Sequence, residues 1–428
     1  MSSHDSDPAG SSGPPASGRS KGLDRHLFFL ISGVILFTVL LILPPPSGLN
    51  SSGWHTLAVA ILMAYWWISE AIPLAVTALL PLVLFPALGI LSSRSTAQNY
   101  GDHLVFLFLG GFMIAIAMER WNLHRRIALG LVQRVGTRPD RLVLGFLLAA
   151  AFLSAWISNT ATTVMLLPIA MAVVRTLAEH ERASGADEGD APLEEKLGGA
   201  LMLALAYGAG VGGLATLVGT PPNIVLVGQV KTLFPELPEI SFGTWMLLGV
   251  PVSVAMLAAA YFVLMRFGPQ RRLSSEDSQE AGREVLRREQ QKLGPMVLGE
   301  RLVLSCFLLA AILWITRKPL PLGAITLPGW SQLFPHSDYL QDTTVAIGVG
   351  ILLTALRAYR AQDGRRVALL DWESIRTRSP WGILILFGGG FALARGFADS
   401  GLASWIGGGL HGLKGLPLPL IIALISIL

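Results

Sequence analysis

The chain has 428 residues, of which 52% are apolar and only 14% are charged, and its formal net charge is +4. Because soluble domains carry about 25% charged residues, this composition excludes a disordered chain, a coiled coil and an ordinary cytosolic enzyme, and it predicts an all-α polytopic membrane protein. The single cysteine, Cys306, excludes an internal disulfide and a cysteine-based metal or redox centre.

The predicted elements begin with a polar segment over 1–25, which lacks the apolar residues needed to fold alone and is predicted to be a disordered cytoplasmic tail. A first membrane helix is predicted over 27–43, since this apolar run has no signal-peptide cleavage site. The later apolar segments are 55–68, 72–91, 104–118, 142–174, 199–230, 244–265, 302–316, 343–356, 380–394 and 416–428. Most of them fit a spanning helix of about 20 residues, but two do not.

The segment 142–174 is too long for one straight span, because its 33 residues would form a helix of about 50 Å. Its middle holds Ser158-Asn159-Thr160, a polar tripeptide in an apolar run. A division there leaves two arms of about 21–24 Å, each too short to cross about 30 Å of hydrocarbon. The segment is therefore predicted to be a re-entrant hairpin, which turns near the membrane midplane and leaves on the side where it entered.

The segment 199–230 is predicted to cross the membrane as a broken helix. Glycines recur between 208 and 213, where they favour close packing of helices, and Gly219-Thr220-Pro221-Pro222-Asn223 follows. The two prolines cannot donate backbone hydrogen bonds, so the helix is predicted to break near Gly219. Non-helical backbone at membrane depth must be buried in protein or line a cavity, so both breaks are expected to point inward.

The distribution of basic residues predicts the topology. Three loops are rich in arginine: 119–141, 266–301 and 357–378. Three others hold at most one basic residue each: 44–54, 92–102 and 231–243. Placing the arginine-rich loops in the cytoplasm puts the N-terminus inside. This arrangement works only if 142–174 returns to its own side and 199–230 crosses, so it supports the hairpin independently of length.

An internal repeat relates two apolar segments at a constant offset of 279 residues, since Leu107–Phe112 resembles Leu386–Phe391. The alternative is a chance sharing of glycines by two apolar helices. The predicted topology gives the two segments opposite directions, which favours an inverted-topology repeat, the architecture of many secondary transporters. The same offset puts the equivalent of Ser158 at position 437, beyond Leu428. The chain is therefore expected to be a fragment that does not transport by itself.

The two breaks supply polar groups that suit an anion and a cation. Half-helix N-termini favour anions, and free carbonyl groups favour a hard cation such as sodium. The candidate residues are Ser154, Ser158, Asn159, Thr160, Gly219 through its carbonyl, Thr220 and Asn223. For Ser154 alone, the alternative is an ordinary intrahelical hydrogen bond. Neither broken segment has a basic residue, so an anion is expected to need a co-bound cation, which predicts coupling to sodium.

Four motifs, taken in order, resemble the divalent anion:sodium symporter (DASS) family of dicarboxylate, citrate and sulfate carriers. They are Trp67–Pro73, Phe108–Phe112, Ser158–Thr162 and Gly219–Asn223. The resemblance implies a homodimer whose transport domains move as elevators against scaffold domains. It implies a sodium site at Ser154, Ser158, Asn159 and Gly219, and a substrate site at Ser158, Asn159, Thr160, Thr220, Pro221 and Asn223. The family's second Ser-Asn-Thr tip and second broken helix are not among these 428 residues.

The resemblance also divides the chain. Scaffold helices are expected over 26–118 and 244–358, the first-repeat transport region over 119–230, and the start of the second over 380–428. The expected function is sodium-coupled uptake of di- or tricarboxylates across the plasma (inner) membrane, without a nucleic-acid partner. The alternatives are a sulfate carrier, a sodium-independent anion exchanger of the same fold, and a membrane sensor or enzyme. An enzyme is disfavoured because the two broken segments contain no His, Cys, Asp or Glu.

Overall fold

Helices account for nearly all regular structure in the computed structural model, which describes residues 19–183, 193–267, 276–322, 325–359 and 364–409 together with Pro417 and Leu420. The helices are α1 (Arg19–Ile42), α2 (Ser51–Ser69), α3 (Leu74–Thr77), α4 (Leu80–Ala87), α5 (Ser93–Gln98), α6 (His103–Arg120), α7 (Leu123–Val135), α8 (Pro139–Ser154), α9 (Asn159–Ala183), α10 (Leu193–Gly212), α11 (Pro221–Leu233), α12 (Phe242–Phe267), α13 (Glu276–Lys292), α14 (Leu298–Ile315), α15 (Asp342–Ala355), α16 (Trp372–Arg378), α17 (Trp381–Asp399) and α18 (Leu402–Gly409). Two antiparallel strand pairs join β1 (Leu320–Leu322) to β2 (Ile325–Leu327) and β3 (Arg357–Tyr359) to β4 (Arg366–Ala368).

Seven helical segments of the described residues are long and apolar enough to cross a membrane, so this is a polytopic α-helical membrane protein. They are Arg25–Ile42, Ser93–Arg120, Asn159–His180, Glu195–Ala215, Phe242–Arg266, Leu298–Ile315 and Trp381–Asp399. The first helix begins at Arg19, so the prediction of disorder over 1–25 is wrong for its last residues, where the helix starts before the apolar run. The segment 416–428 lies outside the described residues, apart from Pro417 and Leu420.

The predicted break at Ser158 is present, because α8 ends at Ser154 and α9 begins at Asn159. The second arm is longer than predicted: α9 has 25 residues, about 37 Å, and is long enough to cross a membrane alone. The outer ends of both arms nevertheless lie at the same helix, α13. A methyl group added at its Gly282 would lie 3.3 Å from Leu177 of α9 and 3.5 Å from Thr137, just before α8. The two arms therefore fold back as a hairpin.

The predicted break near Gly219 is also present. Helix α10 ends at Gly212, a 3-10 turn covers Gly213–Ala215, and α11 begins at Pro221. The glycines before the break allow close packing on α8, as expected. A Cβ at Gly208 would lie 2.6 Å from the Leu147 carbonyl oxygen, and one at Gly212 would overlap the backbone of α8. The first hairpin arm and the broken helix thus pack with their backbones nearly in contact.

Helix boundaries repeat at the offset of 279 found in the sequence. Helices α5 and α16 begin at Ser93 and Trp372, each after a residue whose side chain caps the helix, and α7 and α18 begin at Leu123 and Leu402. Asn122 and Gly401, just before the latter pair, both adopt a left-handed conformation. The conformation of these segments therefore repeats along with their sequence.

Helices α6 and α17, which correspond in the repeat, run in opposite directions. Near the start of α6, Tyr100 contacts Gly388 and the ring of Phe108 lies 5.1 Å from that of Phe387. Near its end, Glu119 lies within electrostatic range of Arg378, which immediately precedes α17. The start of one helix therefore lies beside the middle of the other, as expected for antiparallel neighbours.

Packing divides the chain into two compact units, one with residues 1–99 and 392–428 and the other with residues 100–391. The second unit contains the hairpin, the broken helix and also α6, which the sequence analysis assigned to the scaffold. The division into scaffold and transport domains stays a prediction.

A buried ion-pair cluster joins several helix ends of the second unit. Arg317, which is 1% exposed, contacts Asp342 at 2.5 Å and Glu239 at 2.6 Å, and Asp342 accepts a hydrogen bond from the backbone of Phe242. Burial alone would raise the pKa of Glu239, but the hydrogen bonds and charges of Lys318 and Arg317 outweigh it and lower that pKa. The cluster fixes the end of α14 and the start of α15 against the start of α12.

Candidate functional site

A cavity of about 380 Å³ lies where the hairpin tip, the helix break and one face of α6 meet. Helix α6 contributes residues one or two turns apart, the hairpin contributes its tip, and the segment before α17 closes another wall. The lining residues are Phe108, Gly111, Phe112, Ala115, Ile116, Glu119, Trp156, Ser158, Asn159, Thr160, Val218, Gly219, Thr220, Pro221, Arg378, Pro380 and Ile383. All of them belong to the second unit.

The hairpin tip presents the start of α9 to this cavity. Ser158 caps the helix, since its hydroxyl oxygen accepts a hydrogen bond from the backbone N–H of Ala161 at 3.2 Å. The first turn of a helix has N–H groups without intrahelical acceptors and lies at the positive end of the helix dipole, so it favours an anion. Trp156 anchors the tip, because its ring packs edge-on against the ring of Phe307 in α14, with 4.9 Å between the ring centroids.

The start of α11 faces the same cavity with a different set of groups. Thr220 precedes the helix, and its side chain makes no capping hydrogen bond. Pro221 and Pro222 have no N–H, so this helix end contributes its dipole and the Thr220 hydroxyl rather than a row of backbone donors. The break is joined to the hairpin by Thr216, whose hydroxyl donates to the carbonyl oxygen of Ala155 at 2.5 Å and accepts from the N–H of Gly219 at 3.1 Å.

Neutral oxygen atoms converge behind the hairpin tip. The buried Ser154 hydroxyl lies 2.5 Å from Asn159 Oδ1 and 2.7 Å from the Ala209 carbonyl oxygen, and its one hydrogen can serve only one of them. A Cβ at Gly213 would lie 3.0 Å from the same Asn159 oxygen and 3.4 Å from the Gly219 carbonyl oxygen. Helix α8 ends here, at the negative end of its dipole. Hydroxyl, amide and carbonyl oxygens of this kind suit a hard monovalent cation.

The comparison with known proteins agrees with this geometry. The profile of the family described as "Sodium:sulfate symporter transmembrane region" matches residues 24–428. The chain belongs to the sodium:sulfate symporter family. The sodium-dependent dicarboxylate transporter SdcS of Staphylococcus saprophyticus is 40% identical over 400 residues, which are 94% of this chain and 73% of the relative. SdcS of Staphylococcus aureus is 39% identical over 391 residues, which are 91% of this chain and 71% of the relative.

Family membership confirms the resemblance to the divalent anion:sodium symporters and makes the protein a transporter rather than an enzyme. The structure brings most of the predicted site residues together. Those that line the cavity are Ser158, Asn159, Thr160, Gly219, Thr220 and Pro221. Ser154 lies directly behind them, in contact with Asn159. Residues more than 50 positions apart in this symporter sequence therefore meet in one place.

Asn223 is the exception, because its side chain makes hydrogen bonds within the helix break. It is 3% exposed and does not line the cavity, although it follows the Gly-Thr-Pro-Pro motif directly. Its side-chain N–H groups donate to the carbonyl oxygens of Gly213, at 2.9 Å, and Thr216, at 2.7 Å. In this structure the amide therefore links the two sides of the helix break, and the contact of Asn223 with substrate stays a prediction.

Sequence reasoning missed the charged wall of the cavity. Glu119 and Arg378 are the charged members of its lining, and their charges interact. Both lie at helix ends, where charged residues are common, and Arg378 entered the topology argument only as one of many loop arginines. The signal in the sequence was weak: Arg378 stands just before the repeated segment that pairs with α6.

Proposed function

We propose that this protein is a sodium-coupled transporter of dicarboxylates. The observation that carries the proposal is the cavity in which the tip of a helical hairpin and the break of a second helix present their polar ends together. Relatives with 39–40% identity are named sodium-dependent dicarboxylate transporters, which favours a dicarboxylate over sulfate as the substrate.

In the proposed mechanism, one carboxylate of the substrate binds at the hairpin tip. Ser158, Asn159 and Thr160 provide donors at the positive end of α9, and the Thr220 hydroxyl adds a donor at the start of α11. Sodium binds behind the tip, to oxygens of Ser154, Ser158, Asn159 and Gly219. Asn159 stands at the boundary between the two sites, so one side chain orders both.

Electrostatics explains the coupling. Two opposite unit charges about 4 Å apart attract by about 4 kcal/mol at an effective dielectric constant near 20. A bound sodium ion therefore raises the affinity for the anion, and the anion raises the affinity for sodium by the same factor. An anion without the cation would meet only dipoles and neutral donors at this end of the cavity.

We further propose that the hairpin is re-entrant and that the chain is built as an inverted-topology repeat. Support comes from the hairpin ends that meet at α13 and from the antiparallel α6 and α17. The movement is proposed to be an elevator within a homodimer of the plasma (inner) membrane, with the N-terminus in the cytoplasm. This arrangement rests on the arginine-rich loops and on the family resemblance.

The test is uptake of labelled succinate into cells that express the full-length protein, in sodium and in choline buffers, with sulfate and citrate as competitors. We expect sodium-dependent uptake that unlabelled succinate blocks more strongly than sulfate. Asn159→Ala is expected to abolish this uptake, whereas Thr163→Ala is the matched control on the same helix, because its hydroxyl only bonds to the Asn159 carbonyl oxygen. Sodium-independent uptake, or normal uptake by Asn159→Ala, would contradict the proposal.

A further inference from the structure

The short hairpin of β3 and β4 packs on the helices of the second unit by one of its two faces. Ala358 and Val367, which pair at its centre, turn towards the core, and Ala358 is 1% exposed. The base of the hairpin is held by hydrogen bonds. The N–H of Leu369 donates to the carbonyl oxygen of Leu356, and the carbonyl oxygen of Leu369 accepts from the Trp121 indole at 2.9 Å. The hairpin therefore has a fixed orientation, with its second face turned outward.

The outward face of this hairpin is basic. Side chains alternate between the two faces of a strand pair, so Arg357, Tyr359 and Arg366 share the face that turns away from the core. All three are exposed, and Tyr359 lies directly opposite Arg366 in the pairing. Arg365, immediately before β4, is exposed as well. These four residues, Arg357, Tyr359, Arg365 and Arg366, form a basic patch that does not line the cavity.

The arginines of the basic patch have no acidic partner. Among the described residues, Arg357, Arg365 and Arg366 make no ion pair and no side-chain hydrogen bond. The exposed arginines of α13, in contrast, each pair with a glutamate of their own helix. Three positive charges on one small surface, without carboxylates to balance them, attract an anionic partner.

The basic patch continues a surface that suits the apolar part of a lipid bilayer. Strand β3 begins two residues after the end of α15, whose last turns expose Ile351 and Leu352. Trp372, the fourth residue after β4, is 66% exposed, and tryptophan is enriched where proteins meet the boundary between hydrocarbon and head groups. Exposed apolar side chains, then arginines with a tyrosine, then a tryptophan follow one another along the chain. This order matches the boundary between the hydrocarbon core and the head groups.

We propose that the basic patch binds the head groups of anionic phospholipids, such as phosphatidylglycerol, in the membrane that holds the protein. A guanidinium group can donate two parallel hydrogen bonds to a phosphate, and the Tyr359 hydroxyl adds another donor on the same face. The patch belongs to the arginine-rich loop predicted to lie in the cytoplasm, where the leaflet carries negative charge. A soluble phosphate or an acidic peptide would use the charges alone, whereas a lipid also uses the apolar surface beside them. The inference goes beyond the proposed transport function and does not depend on it.

The test is lipid binding to the purified full-length protein in a neutral detergent, followed by native mass spectrometry during titration with phosphatidylglycerol or phosphatidylcholine. We expect tighter binding of phosphatidylglycerol. The combined replacements Arg357→Gln, Arg365→Gln and Arg366→Gln are expected to raise its half-saturating concentration about 100-fold, about 5-fold for each arginine, and to leave phosphatidylcholine binding unchanged. Lysine at the same three positions is expected to retain most of the affinity, because attraction to a lipid surface depends mainly on charge.

The matched control is Arg283→Gln, Arg287→Gln and Arg288→Gln on α13, which removes the same number of exposed but paired charges. Wild-type affinity in the patch variant, an equal loss in the control, or no preference for phosphatidylglycerol overturns the inference. Displacement of the lipid by inorganic phosphate or by a polyglutamate peptide also overturns it, because the patch would then bind a soluble anion or a protein.

The replaced side chains are exposed, so the packed core is unchanged. If the triple variant fails to accumulate, Arg357→Gln and Arg366→Gln are measured singly, and each is expected to weaken phosphatidylglycerol binding about 5-fold. Unchanged affinity in both single variants overturns the inference. None of these outcomes bears on succinate uptake, so the proposed function is tested separately.

Discussion

Gly219 shows why a residue without a side chain is needed at the helix break. A Cβ at this position would overlap the carbonyl oxygen of Gly213 and would lie 3.0 Å from the Gly213 Cα and 3.1 Å from the Ala155 carbonyl oxygen. All three neighbours are backbone atoms, so they cannot move aside without shifting the hairpin or the break. Glycine is needed here because two segments of the backbone approach each other closely, not because the backbone conformation is unusual.

This packing predicts that a single methyl group at the break disturbs the cation site. Gly219→Ala is expected to raise the sodium concentration for half-maximal succinate uptake at least about 10-fold, which corresponds to about 1.4 kcal/mol, while membrane expression persists. The measurement is the sodium activation curve of uptake. Gly210→Ala is the control, because nothing lies within 4 Å of a Cβ at Gly210. Identical activation curves for the two variants would exclude Gly219 from the sodium site.

Local sequence identifies the breaks because prolines and polar tripeptides act on the helix that contains them. It does not assign roles within a motif: Asn223 belongs to the same motif as Thr220, but only the packed structure separates the side chain that lines the cavity from the one that faces backbone carbonyls. Arg378 was missed for a related reason. It comes from a loop more than 200 residues after the hairpin tip, and only tertiary packing brings it to the cavity.

At the scale of secondary structure, the hairpin shows where apolar length fails as a guide. The second arm continues past the apolar run, through Arg175 and Glu179, to Ala183. Its end is set by packing against α10 and α13, where Leu177 is fully buried, rather than by the last apolar residue. Arm length therefore predicts a re-entrant hairpin from α8 but not from α9.

The break between α10 and α11 depends on one side-chain amide, which leads to a prediction. Asn223→Ala leaves the carbonyl oxygens of Gly213 and Thr216 without their donor, at a cost of about 1–3 kcal/mol for each buried group. We expect a lower unfolding temperature in detergent and weaker sodium protection against unfolding. The comparison is Gln229→Ala on the same helix, whose amide makes a single long contact of 3.4 Å with Gly390. Equal unfolding temperatures for the two variants would refute the positioning role of Asn223.

At the scale of the whole molecule, the internal repeat and the distribution of arginines both predict an inverted-topology repeat. The offset of 279 residues relates helix starts, caps and left-handed residues as well as sequence. Sequence could predict this repeat because it preserves small and aromatic residues at the same positions on α6 and α17. It could not predict how the helices pack, since contacts between α6 and α17 join residues more than 250 positions apart.

The orientation of the hairpin in the membrane can be tested by cysteine labelling. Cys306 is buried and would first be replaced by alanine, which gives a background without cysteine. Single cysteines are then placed at Arg138 before α8, at Ala183 at the end of α9, and at Glu236 after α11. All three positions have exposed side chains. On intact cells, an impermeant maleimide is expected to label only position 236, and after permeabilisation it is expected to label all three.

Labelling of positions 138 and 183 distinguishes a re-entrant hairpin from a membrane crossing, because the two positions flank the hairpin. If both react only after permeabilisation, the chain enters and leaves the membrane on the cytoplasmic side, and α9 is a re-entrant arm despite being long enough to span. If position 183 reacts on intact cells and position 138 does not, α8 and α9 together cross the bilayer. The segments after α9 would then run in the wrong direction for an inverted repeat, and the elevator proposed for this fold would lose its structural basis.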